Sequence, residues 1–126
     1  MQELGRSSYP EALRHNIIAL NHPVLRTVIP AYAAQVEKAV KRGDLVSVNH
    51  RLAALLASYF DVIFAANRVL HPGEKRMVAH ALARCERLPV DMADDITAVL
   101  QASATASAEV PLLLNRLLDR LDELLG

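Results

Sequence analysis

The run LAALLASYFDVIFAA, from Leu52 to Ala66, is broken only by Ser58 and Asp61. It is too short, and too polar at its middle, to span a membrane, which takes about 20 apolar residues. On a helical wheel at about 100° per residue, Val48, Leu52, Leu55, Leu56, Tyr59, Val62, Ile63, Ala66 and Leu70 share one side. Asp44 is placed to cap a helix running from Leu45 to about Leu70, roughly 40 Å long. An element of that length is expected to sit at the centre of the fold. Apolar spacing is helical nearly everywhere else, and no Val/Ile/Thr-rich alternation marks a strand. The chain of 126 residues is therefore expected to be all-α, a single bundle of about five or six helices forming one domain.

Punctuation sets the other elements. Pro10, after Ser7, Ser8 and Tyr9, suits the first position of a helix through EALRHNIIALN, with Leu13, Ile17 and Leu20 on one side and a stop at His22-Pro23. A second helix is expected from Val24 to Arg42, kinked or divided at Pro30 and ended by Gly43, with Lys38, Lys41 and Arg42 complementing its dipole. Pro72 is placed to start a fourth helix reaching about Arg87, and Asp91 to cap a fifth, MADDITAVLQ. QASATASAE reads as a frayed helix or a connector. Pro111 begins the last helix, where Leu114, Leu117, Leu121 and Leu124 follow a 3-4-3 spacing. Leu113, Leu118 and Leu125 widen that stripe, which favours a helix closing its own bundle over a seam between two chains.

Charge excludes some functions. Fourteen basic residues balance fourteen acidic ones, so no global field attracts nucleic acid or an anionic membrane, and neither partner is expected. The single cysteine, Cys85, cannot form an internal disulfide and reads as a buried small hydrophobe. With no apolar signal core in MQELGRSSYP, a cytoplasmic protein is expected.

Asp61 belongs to a polar arc of the long helix, opposite its apolar side, together with Asn49, His50, Asn67, Arg68 and His71. Ala53, Ala54, Ala57 and Ala65 beside it leave room for a close-packed neighbour or a ligand. Asp61 has two readings: a carboxylate that locks the bundle to a Tyr or Arg of a neighbouring helix, or one held for a substrate. Arg68, two turns on, can lean back toward it. A helix starting at Pro72 would offer the free N–H groups of Gly73, Glu74 and Lys75 to an anion, with Arg68, Lys75 and Arg76 nearby. The candidate substrate- or anion-binding residues are Asp61, Asn67, Arg68 and Lys75.

The segments YPEALRHNII, VEKAVKRGDLVSVNHRLAALLASYFDVIFAANRVLHPGEKR and ERLP resemble a helical domain family of unassigned function. That family accompanies minimal, polymerase-beta-type nucleotidyltransferase domains in bacterial proteins. Tyr9-Pro10, Arg42-Gly-Asp44, and Asn67-Arg68 followed by Pro72 and Lys75 are its most specific pieces, within a similarity covering about residues 9 to 100. The resemblance implies a bundle that closes against a nucleotidyltransferase catalytic domain and helps hold substrate. Mg²⁺ and NTP would belong to that other domain, because this chain has no Gly-Ser turn and no Asp-x-Asp pair to hold the metal. Asp94-Asp95 cannot substitute, since neighbours on a helix point about 100° apart.

Other chemistries fit less well. Arg68 and His71 have two residues between them, and Arg76 and His80 three, against the four to six of a small helical ribonuclease motif. No His-x3-His or Glu-x-x-His pattern suggests a metal. His15, one turn after Glu11, reads as its surface ion-pair partner. The expected function is a non-catalytic substrate- or partner-binding domain of a nucleotidyltransferase system. The alternative is a structural interaction module, a homodimer joined through its leucine-rich last helix.

Overall fold

The apolar run lies at the centre of six helices in a computed structural model that describes residues 9–27, 31–73 and 75–126. In chain order they are α1 (Glu11–Arg26), α2 (Tyr32–Arg42), α3 (Leu45–Ala66), α4 (Met77–Arg84), α5 (Met92–Ser103) and α6 (Val110–Leu125). Among the described residues there is no strand. The central helix α3 packs chiefly against α1 and α2, while α5 pairs with α6 and α6 returns against α2. Leu52, Leu55, Tyr59, Ile63 and Phe64 of α3 are fully buried. At about 2 kcal/mol for each large apolar side chain, they contribute on the order of 10 kcal/mol of burial.

Both ends of the α2–α3 hairpin follow the punctuation. Gly43 takes φ +65, and its N–H and that of Asp44 bond back to the carbonyls of Val40 and Ala39, closing α2 in a left-handed cap that glycine adopts without steric cost. Asp44 accepts from the Ser47 backbone N–H at 3.2 Å and from its hydroxyl at 2.7 Å, which holds its carboxyl below the usual range. α6 carries its proline in the first turn, and Leu114, Leu117, Leu118 and Leu121 are buried in the chain's own core.

Several expectations are corrected. α1 runs through Pro23 to Arg26, although the proline has no N–H to bond Ala19. Tertiary contacts outweigh that loss: Leu25 is buried, Asp122 of α6 lies 2.6 Å from His22 Nε2, and Arg26 Nη2 lies 2.8 Å from Asp119 and 2.5 Å from Asp122. The stretch from Val24 to Arg42 is divided, as one of the two expected outcomes, but its first residues belong to α1; Pro30 itself lies outside the described residues. α3 ends at Ala66 rather than near Leu70. α4 starts five residues after Pro72 and ends at Arg84. The side chain of Asp91 makes no cap bond to α5; it faces Arg120 at 3.4 Å instead. α5 absorbs the first residues of QASATASAE, and 104–109 form the connector.

Candidate functional site

The C-terminal end of α3 gathers three of the four candidate residues, each into a different role. Between Ser58 and Asn67, Asp61 is the only residue that is not buried. Its side chain is 41% exposed, so the expected polar arc survives around it as a narrow window in the otherwise covered C-terminal half of the helix. His71 Nε2 lies 3.6 Å from Asp61 Oδ1. The imidazole is fixed from both sides: Gly73 N–H donates to its Nδ1 at 3.0 Å, and its ring meets the Phe64 ring edge-on at 5.3 Å. Because Nδ1 accepts, Nε2 carries the proton of the neutral ring and points it toward the carboxylate.

Asn67 is a buried tie. Its amide donates to the carbonyls of Ile63 at 2.9 Å and Arg87 at 2.7 Å, while its oxygen accepts from Arg87 N–H at 2.8 Å. One side chain thus closes α3 and holds the segment leading to α5. No polar group of that amide remains for a ligand beyond a second oxygen lone pair.

Arg68 does not lean back toward Asp61. It adopts φ +55 as the left-handed residue of a second helix-closing motif, in which its N–H bonds Ala65 and that of Val69 bonds Phe64. From this position its Nε donates to Glu11 of α1. That bond is the main reason the Glu11 carboxyl sits below its ordinary range, with Arg14 adding a smaller effect. Glu11 thus answers Arg68 and, at 4.0 Å, Arg14, rather than pairing with His15. Arg14 Nε is itself buried without a hydrogen-bond partner. Tyr9, buried beside this group, has its hydroxyl pushed up by burial, with Arg14 opposing.

Lys75 stands apart. The described residues between Asn67 and Arg76 are not helical, with positive φ at Arg68, Gly73 and Arg76, so the expected helix start at Pro72 does not form. The Gly73 N–H is given to His71, and Glu74 lies outside the described residues. Lys75 is exposed and has no ionic partner among the described residues.

Sequence reasoning missed Glu11 and His71 as partners of Arg68 and Asp61. No local signal pointed to the first pairing, because Glu11 and Arg68 lie 57 positions apart. A buried polar cluster elsewhere was also missed. Asp95, 7% exposed, lies 2.8 Å from Arg120 and 3.7 Å from Arg116 of α6. The Tyr59 hydroxyl close by has no hydrogen-bond partner, and burial, then the Asp95 charge, push its pKa well above the usual value.

Among the described residues, no group of three or more His, Cys, Asp or Glu side chains is assembled as a metal site, and no helix is long and apolar enough to cross a membrane. No protein-family model matches the chain, and neither a curated protein nor a solved structure is significantly similar to it.

Proposed function

We propose that the chain is a non-catalytic, partner-binding helical domain of a nucleotidyltransferase system. The observation that carries the binding role is the outer side of α1. Leu13, Ile17, Leu20 and Val24 recur at helical spacing, about a third of a turn away from the buried Leu25, and none of them is buried. Leu20 is 72% exposed. An apolar row left on a helix whose core side is already filled is the kind of surface that a second protein covers. The chain has no Asp-x-Asp for the metal of nucleotidyl transfer, and its resemblance points to a minimal nucleotidyltransferase domain as the partner. Arg68 and Asn67 are engaged by Glu11 and Arg87, which favours a protein contact over a small-molecule pocket at the end of α3.

Sedimentation of the chain with a minimal nucleotidyltransferase domain from the same genome tests this. A one-to-one complex is expected, weakened at least about tenfold by Leu13→Glu together with Leu20→Glu, the equivalent of about 1.4 kcal/mol. The chain alone should release no pyrophosphate from any NTP with Mg²⁺. A complex indifferent to both substitutions would remove α1 from the interface. Self-association abolished by them would make the row a contact between copies of this chain.

A further inference from the structure

At the other end of α3, the antiparallel helices α2 and α3 enclose a groove of about 170 Å³ lined by Gln35, Lys38, Arg42, Ser47 and Arg51. Lys38 and Arg42 are one turn apart on α2, and Ser47 and Arg51 one turn apart on α3, so the Gly43 turn brings a pair of cations on α2 beside a hydroxyl and one cation on α3. No acidic side chain lines the groove. Of its cations, Arg42 pairs with Asp44 at 3.4 Å, a carboxylate that also caps α3 and accepts from the Ser47 hydroxyl. Lys38 and Arg51 have no ionic partner among the described residues. Lys41, by contrast, is paired with Glu37 at 3.3 Å and does not line the groove.

Lys38, Arg42 and Arg51 are all exposed, so water and salt screen part of their mutual repulsion, and a bound anion would relieve the rest. In a chain of zero formal net charge, three cations around one groove, of which only Arg42 has an acidic partner, are a local positive excess. We propose that this groove binds a phosphate-class oxyanion, either inorganic phosphate or polyphosphate, or the phosphates of a nucleotide. A carboxylate has two oxygens and one charge, which a single arginine satisfies. Two guanidinium forks and an ammonium on separate helices match a group with more oxygens and more charge. The space is the liquid-volume share of about five or six waters, enough for one or two phosphate groups. The site is independent of α1 and of any partner protein.

Calorimetry on the full chain at low ionic strength, with phosphate, pyrophosphate, tripolyphosphate and ATP as probes, tests the proposal. Affinity should rise with the charge of the probe. It should fall as ionic strength goes from roughly 0.01 to 0.1 M, because the screening length contracts from about 30 to about 10 Å. Lys38→Gln combined with Arg51→Gln should weaken tripolyphosphate binding at least about tenfold, since it removes two of the three cations lining the groove. Lys41→Gln should leave it unchanged. ATP binding more tightly than tripolyphosphate would assign the site to nucleotides, and equal affinity to the phosphate group alone. No binding of any probe, or equal loss in Lys41→Gln, would overturn the proposal, as would binding of a DNA duplex without binding of tripolyphosphate.

Discussion

Asp61 and Asp95 are both helical carboxylates, and the bundle treats them oppositely. Asp61 sits in an apolar run, yet its side chain is 41% exposed and meets one histidine at 3.6 Å. Asp95 sits in an ordinary amphipathic segment, yet it is 7% exposed and faced by two arginines. A carboxylate stays charged in the interior only where cations and hydrogen bonds replace its water. α6 supplies them to Asp95. Nothing comparable reaches Asp61, so the fold leaves it a window to solvent instead.

Removing Asp95 is the strongest way to test that contrast. Asp95→Ala strips Arg120 of its buried partner and should cost about 3 kcal/mol, measured by urea unfolding. Arg116→Ala should cost well under 1 kcal/mol, because that side chain is half exposed. A mild Asp95→Ala would mean that the pairing of α5 with α6 rests on their apolar contacts alone.

Asn67→Ala is expected to come second, at about 2 kcal/mol, by leaving the Arg87 N–H and carbonyl short of partners around a buried gap, while the Ile63 carbonyl keeps its bond from the backbone N–H of residue 67. It separates scaffold from site at the end of α3. A melting temperature unchanged by this substitution would show that the hinge does not depend on the tie.

The smallest effect belongs to Asp61. Asp61→Asn and Asp61→Leu should each shift stability by less than about 0.5 kcal/mol in thermal melts, the scale of an exposed pair. Clear destabilisation by both would make the His71 contact a structural lock and bring Asp61 closer to Asp95 than their surroundings suggest.

Much of this was legible in the residues. The apolar period placed α3, Gly43 and Asp44 marked the α2–α3 turn, and Pro111 marked the start of α6. The candidate site was legible only in part. Asp61 and Arg68 do lie at one end of α3, but their partners are His71, across a turn that begins at left-handed Arg68, and Glu11, 57 positions away. The cationic groove escaped because Lys38 and Arg42 also suit the end of a helix dipole, and no local pattern tells a charge that complements a dipole from one that faces another cation.

Helix content and the turn at Gly43 were fixed by local chemistry, because periodicity, capping and left-handed glycine act within a few residues. Tertiary structure alone decided that α1 continues through Pro23, where the Asp122 clasp and the burial of Leu25 outweigh one missing hydrogen bond. It also decided that Leu20 faces outward, that Pro72 starts no helix, and that Asp95 rather than Asp61 is the enclosed carboxylate. Each of these depends on which groups meet from distant parts of the chain, and a charge or a proline is tolerated according to the partners it meets there.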